Sequence, residues 1–224
     1  MATLQPGCWL NDQVIAYLFE SISRRAAAAG ASLVLLEPST TFMAVMIDDP
    51  NQLREMLSVP TKSGSASLLS QLEAAQLVVM PVNNNDDASK AGGGGHWSLL
   101  LFRREGDAQH GAARYEHYDS CGKANVLVAK SIALALSTLL LGPRPGTLPL
   151  VNMECPQQAN GFDCGVYVLA FAEILALAPP GDIGKAPSAA LKEALHALRP
   201  EGITAKRAAW HAELMAAVEQ GSRG

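Results

Sequence analysis

Gln158-Ala159-Asn160-Gly161-Phe162-Asp163-Cys164-Gly165 runs without a break into the apolar segment Val166-Tyr167-Val168-Leu169-Ala170-Phe171-Ala172. No other junction constrains the chain as strongly. Seven successive apolar side chains need partners on every side, so the segment reads as a buried helix entered through a polar turn. Cys164 then falls in the first turn of that helix, where N–H groups without intrahelical acceptors and the helix dipole favour a thiolate over a thiol. Gly161 is expected to permit a turn that a Cβ would resist, and Gly165 to let a substrate backbone pass close to the sulfur. Gln158 can return over the turn and aim its amide at negative charge developing on an attacked carbonyl, beside the Cys164 N–H. Taken alone, the segment also fits a cysteine that only packs into a core, since free cysteine is among the most buried residue types.

Two upstream segments supply what a nucleophilic thiol needs. Gly92-Gly93-Gly94-Gly95 ends at His96, which opens the apolar, strand-like run Trp97-Ser98-Leu99-Leu100-Leu101-Phe102. Tyr115-Glu116-His117-Tyr118 reads as a second short strand, with Asp119 at its end. A thiol needs a base within hydrogen-bond reach, and the base needs a third group to fix its tautomer. His96, Asp119 and Cys164 are those three parts, each at an edge between a regular element and a loop, where a rigid scaffold lets side chains converge. His117, two residues before Asp119 and so on the same strand face, is the lesser candidate for the base. His110, His196 and His211 read as surface or helix-face residues.

Composition narrows the class. With 224 residues, 49% of them hydrophobic, the chain can bury a full core, and residues 1–224 are expected to form a single domain. A net charge of −4 argues against nucleic-acid binding by bulk charge. The absence of a basic leader with an apolar stretch, and of an apolar run of about 20 residues, leads us to expect a soluble protein of cytosol or nucleus, with no membrane partner; a monomer is expected. Cys8, Cys121, Cys155 and Cys164 form no C-x-x-C pair and no zinc-ligand spacing, so neither metal nor cofactor is expected. The first three cysteines read as packing residues, and a reducing compartment would keep Cys164 a thiol.

The chain alternates coarsely between helices and strands. A helix follows Asn11-Asp12, both good caps, and continues through Val14, Ile15, Leu18, Phe19 and Ile22 to Gly30. Short helices are expected at 40–46 and 50–57, strands at 77–82, 98–102, 113–118 and 148–153, and a longer helix at 125–141. Residues 83–95 form a polar, glycine-rich loop, too poor in apolar side chains to pack, that reads as a lid over bound substrate. Asp163 is expected to cap the helix that carries Cys164. Helices near 187–198 and 204–218 carry no evident chemistry. With the strands consecutive and helices mostly before and after them, the class is α+β.

The order His-Trp, Asp and Gln-x-Asn-Gly-x-Asp-Cys-Gly resembles the signature of the Ulp-type and sentrin/SUMO-specific cysteine proteases, and most of all their deneddylase branch. The resembling segments are Trp9-Leu10-Asn11-Asp12, the loop through His96-Trp97-Ser98-Leu99-Leu100, Tyr118-Asp119-Ser120, Gln157-Gln158 through Val168, and Ile203-Thr204-Ala205-Lys206-Arg207 with Trp210. The resemblance implies a papain-like fold with a central mixed sheet flanked by helices. It also implies cleavage after the C-terminal Gly-Gly of a ubiquitin-like modifier, in precursors and in isopeptide-linked conjugates, with His96, Asp119, Gln158 and Cys164 catalytic. Trp9 and Trp97 would close over the Gly-Gly tail as a slot too narrow for side chains, although core packing alone also justifies an indole. Asp12 matches an acid that contacts a basic tail residue, and it can equally serve the helix end. The neddylation modifier, called Rub in plants and fungi, is the expected substrate, with SUMO the alternative. Phe162 and the Asn160-Gly161 pair also fit SUMO proteases, whereas the eight residues ahead of Trp9 leave no room for a long targeting extension and favour the deneddylase branch. A silent modifier-binding module would keep the tryptophans and lose a catalytic member. An acyltransferase on the same thiol chemistry would need a basic coenzyme patch, which is not evident.

Overall fold

The computed structural model describes residues 2–60, 65–85, 87, 89–90, 93–104, 113–141, 148–183, 185 and 187–221. Among the described residues, five strands form one mixed sheet in the order β1 (Leu33–Leu35), β2 (Leu77–Asn83), β3 (Trp97–Arg103), β4 (Arg114–Tyr118) and β5 (Leu150–Asn152). The three central strands are antiparallel, and the two edge strands run parallel to their neighbours. Alternation along the strands divides the core in two. Leu77, Val79, Leu99, Leu101 and Tyr118 face α1 (Asp12–Ala28), α6 (Cys164–Ala176), α7 (Ala189–His196) and α8 (Pro200–Gly221). Val78, Met80, Val82, Leu100, Phe102 and Tyr115 face α2 (Pro38–Met46), α3 (Pro50–Ser58), α4 (Leu68–Ala74) and α5 (Val126–Leu141). The fold is α+β, as its strand and helix order implied.

Helix α1 begins where Asn11 caps it, its side-chain oxygen accepting from the Val14 N–H at 3.0 Å. Its apolar stripe of Val14, Ile15, Leu18, Phe19 and Ile22 is buried, each such side chain contributing about 1.5–3 kcal/mol. Helix α6 is apolar all round because it is enclosed all round, packed on β3 beneath and on α1, α7 and α8 elsewhere. Strand β1 and helix α4 were not anticipated. Three residues are too few to display a period, and α4 is a two-turn helix whose clearest local signal is Ser67, which caps the Ser70 N–H at 3.2 Å. Among the described residues, no helix is long and apolar enough to cross a membrane.

The topology assembles one end of the sheet. His96 immediately precedes β3 and Asp119 immediately follows β4, and these strands pair antiparallel with Leu99 opposite Tyr118. Both side chains therefore emerge at the same edge. Helix α6, lying on β3, brings its first residue, Cys164, to that edge as well.

Candidate active site

His96 Nε2 lies 2.7 Å from Asp119 Oδ1, and both residues are buried. Asp119 is held in turn by the chain that follows it: Oδ1 accepts from the Cys121 N–H at 2.9 Å and Oδ2 from the Asn125 N–H at 3.0 Å. Burial alone would push the Asp119 carboxyl up, but the His96 hydrogen bond and those two amides hold it below the usual aspartate value. Burial likewise works against charge on His96. Its hydrogen bonds to Asp119 and to the Cys164 side chain, with the charge at both, outweigh that and raise its pKa to about 10. The ring carries its proton at neutral pH, with Nε2 fixed by Asp119 and Nδ1 left for the sulfur. Asn125, whose Nδ2 donates to the carbonyls of Val82 and His96 at 3.2 Å each, ties the base to the Asp119 turn. No local pattern in the sequence marks it.

Cys164 is the first residue of α6 and is buried, so its N–H has no intrahelical acceptor. The turn before it is organised by Asn160. Its Oδ1 accepts from the N–H groups of Phe162 and Asp163 at 3.1 and 3.0 Å, and its Nδ2 donates to Asp163 Oδ2 at 2.8 Å. Gln158 is anchored across the turn: Ser120 Oγ donates to its Oε1 at 2.9 Å, and its Nε2 donates to the Asn160 carbonyl at 2.6 Å. One N–H of Gln158 is thus engaged within the turn, and the amide's second N–H is the one left for an oxyanion. Gln157 fastens the same strap to the dyad, donating to the Asp119 carbonyl at 3.0 Å and accepting from the Gly122 N–H at 2.7 Å.

Three expectations for this segment are corrected. Asp163 makes no side-chain cap. Its Oδ1 is occupied by Arg207 of α8, at 2.7 Å from Nη2 and 3.1 Å from Nε, because a charge-assisted pair of bonds outcompetes a cap. Gly161 does not adopt positive φ, and among the described residues no atom lies within 4 Å of the position its Cβ would take. Its carbonyl does the work, accepting from Trp9 Nε1 at 2.6 Å. Gly165 faces Leu10 rather than open space: a Cβ there would lie 2.9 Å from Leu10 Cβ, so this glycine lets the N-terminal arm press onto α6.

A cleft leads to the sulfur, lined by Trp9, Leu10, Asn11, Asp12, Pro38, Ser39, Phe42, His96, Trp97 and Cys164, with Asn83, Asn85, Lys90 and Gly93 to Gly95 along one wall. Trp97 is buried and donates to the Leu10 carbonyl at 3.0 Å, so it serves the core and the cleft at once. Trp9 is 53% exposed. Asp12 is exposed beside the cleft, with Oδ1 accepting only from the neighbouring Gln13 N–H at 3.0 Å among the described residues; Asn11, not Asp12, is the cap. Residues 86, 88, 91 and 92 of the expected lid lie outside the described residues. The rest is laced by asparagine turns, Asn83 to the Asn85 N–H at 2.8 Å and Asn84 to the N–H groups of Gly95 and His96 at 2.7 and 3.0 Å.

The other candidates sit apart. His117 is buried, with Nε2 2.9 Å from Ser98 Oγ and Nδ1 3.2 Å from Asn152 Oδ1; both ring nitrogens are engaged away from Cys164. His196 and His211 lie on α7 and α8, and His110 lies outside the described residues. Cys121 is exposed on the turn after Asp119 rather than packed, and Cys8 and Cys155 are half-buried. No group of three or more His, Cys, Asp or Glu among the described residues can hold a metal ion.

Comparison with known proteins follows the same lines. Residues 8–199 match the family model described as the Ulp1 protease family, C-terminal catalytic domain. A probable sentrin-specific protease 8 of Dictyostelium discoideum is 30% identical over 179 residues, spanning 77% of this chain and 68% of that protein. NEDD8-specific protease 1 of Arabidopsis thaliana is 29% identical over 170 residues, 75% of this chain and 65% of that protein. Among solved structures, the Xanthomonas campestris effector XopD bound to ubiquitin superposes with a TM-score of 0.61 at 21% identity, covering 89% of this chain and 90% of that one.

Proposed function

This chain belongs to the Ulp1 protease family, and from that premise we propose that it cuts after the C-terminal Gly-Gly of the neddylation modifier, in precursors and in isopeptide-linked conjugates. It is a cysteine protease of the deneddylase branch, the branch to which its plant relative's name points. The observation that carries the reading is the His96–Asp119 hydrogen bond beside Cys164, at the end of a cleft that holds both Trp9 and Trp97.

The geometry supports a definite sequence of steps. Cys164 attacks the carbonyl carbon of the last glycine as a thiolate, with His96 holding the proton. The oxyanion is met by the Cys164 N–H and the free N–H of Gln158. Collapse of the tetrahedral adduct breaks the C–N bond, and His96 gives its proton to the departing amine. Water, deprotonated by His96, then hydrolyses the thioester and restores the thiol. Asp119 keeps Nδ1 aimed at sulfur throughout. Trp9 and Trp97 would admit only glycines to the last tail positions, and Asp12 would meet a basic tail residue. A monomer acting in cytosol and nucleus, as one domain, completes the proposal.

The test is covalent labelling of Cys164 by C-terminal electrophile probes built on the neddylation modifier, SUMO and ubiquitin, with Cys164→Ala as control. Preferential labelling by the neddylation probe supports the reading. Preference for SUMO keeps the mechanism and moves the substrate, and no labelling by any probe rejects it.

A further inference from the structure

Trp9 poses a physical problem. An indole that forms one wall of a slot must stay in place, yet this one is 53% exposed and so has little packing to hold it. Its only described hydrogen bond is to the Gly161 carbonyl. The segment before it is short, a 3-10 turn at Ala2–Leu4 followed by a tight turn in which the Cys8 N–H meets the Gln5 carbonyl at 3.2 Å and Gly7 takes φ +80°. Leu4 and Leu10 anchor the two ends of that arm in the core, and the carbonyls on either side of Leu4 are held by Arg207, from the far end of the chain.

Arg207 is 3% exposed, and its guanidinium divides between two segments. Nη1 donates to the carbonyls of Thr3 and Gln5 at 3.1 and 3.2 Å. Nη2 donates to the Phe162 carbonyl at 3.2 Å and to Asp163 Oδ1 at 2.7 Å, and Nε donates to the same carboxylate oxygen at 3.1 Å. Its Cζ also lies over the Phe162 ring, 5.9 Å from the centroid. The arm that carries Trp9 and the turn that delivers Cys164 are therefore stitched together twice, by the indole at Gly161 and by Arg207 at Phe162 and Asp163. Only a planar fork with several donors can span both sets of acceptors; a lysine ammonium reaches one or the other.

We infer that Arg207 is a positioning residue for tail binding: it holds the N-terminal arm in register with the Gly161–Asp163 turn, so that Trp9 stands ready over the sulfur before substrate arrives. The inference rests on the proposed reading of the cleft. It predicts an effect on the affinity for the tail that passes through Trp9, where a merely structural arginine would lower the folded fraction and every activity with it.

The experiment is a double-mutant cycle of Arg207→Lys and Trp9→Phe, read as KM and kcat on a neddylation-modifier fusion, with the thermal midpoint and the rate of Cys164 alkylation by iodoacetamide alongside. Trp9→Phe keeps a ring and removes the bond to Gly161. Arg207→Lys is expected to raise KM by about tenfold, the scale of one charge-assisted hydrogen bond, with kcat and alkylation changed by less than about threefold. In the Trp9→Phe background the same substitution should add less than about twofold, since coupled residues are non-additive. Fully additive effects, or a loss confined to kcat, would overturn the inference. If Arg207→Lys fails to fold, Asp163→Asn loosens the same stitch from its other side; a KM effect that Trp9→Phe abolishes supports the inference, and an unchanged KM rejects it. Failure of the wild-type protein to cleave the fusion would reject the proposed function instead.

Discussion

At one end of the β3–β4 pair, His96 and Asp119 share a 2.7 Å hydrogen bond beside Cys164; at the other, Arg103 and Arg114 converge on Glu116, at 2.8 and 2.6 Å. Both carboxylates are buried, and both are surrounded by donors: Asp119 by two backbone N–H groups, Glu116 by the Tyr118 hydroxyl at 3.1 Å. The difference lies in the partner. A guanidinium cannot release a proton under any condition in which the protein is folded, whereas an imidazole can. One cluster is therefore confined to holding two strands in register, Arg103 opposite Arg114. The other can pass a proton to whatever occupies the cleft. Buried charge on one pair of strands is structural or chemical according to whether a titratable partner meets an opening.

The sharpest way to break that contrast is to neutralise each carboxylate. Asp119→Asn should lower kcat per folded molecule by roughly ten-thousandfold, because an amide stabilises the wrong tautomer and no longer supports the imidazolium; the thermal midpoint falls as well, since the charge that holds the His96 proton is gone. Glu116→Gln should cost stability alone. It leaves the buried Arg103 guanidinium facing a neutral amide, at a cost of about 3–5 kcal/mol in unfolding free energy, with turnover per folded molecule within a few-fold of wild type. Steady-state kinetics and urea titrations on both variants decide the matter; a collapse of kcat in folded Glu116→Gln would show that the far cluster also serves chemistry.

How far this arrangement could be read from residues alone depended on range. The helix carrying Cys164 and the strand after His96 declare themselves by local runs of apolar residues, the strand before Asp119 only by its short tyrosine-bearing stretch, and strand order then forces His96 and Asp119 to one edge. Asp163 misled for the same reason. A residue before a helix is locally a cap, and only the fold brings Arg207, 44 residues away, to claim its carboxylate. Asn125 and Ser120 were unreadable as supports because their partners, at 43 and 38 residues' separation, leave no periodic trace. Patterning tells which face is buried, not which polar atom will be met there.

A gentler probe is pH. The folded pKa of His96 is raised to about 10 from 6.5, so the stability this histidine contributes is fully present below about pH 6.5 and is lost as pH rises toward 10. Urea midpoints should therefore fall between pH 6.5 and 9 in the wild type, and His96→Gln should flatten that slope. Above pH 9 the Cys155 thiol, pushed up to about 11 by burial, adds a loss of its own, so the lower window is the clean one. Asp119, held below its usual value, contributes stability that disappears only as pH falls below the ordinary aspartate range. An unchanged slope in His96→Gln would mean that the dyad is not the source.

His117 gives the smallest and most discriminating test, because it stands on β4 between the two clusters and belongs to neither. Burial lowers its pKa, with Asn152 and Asp119 only partly compensating and the charge of His96 adding to the effect. Its sign is therefore opposite to that of His96: its contribution is present above about pH 6.5 and is lost as pH falls below it, where the unfolded chain takes up the proton first. His117→Gln should cost about 1–2 kcal/mol, the worth of its bonds to Ser98 and Asn152. The same substitution should soften the acid side of the stability curve and leave the pH dependence of kcat/KM where it was. Movement of that kinetic profile would make His117 a participant in proton transfer, and the division of β4 into a structural end and a chemical end would have to be redrawn around it.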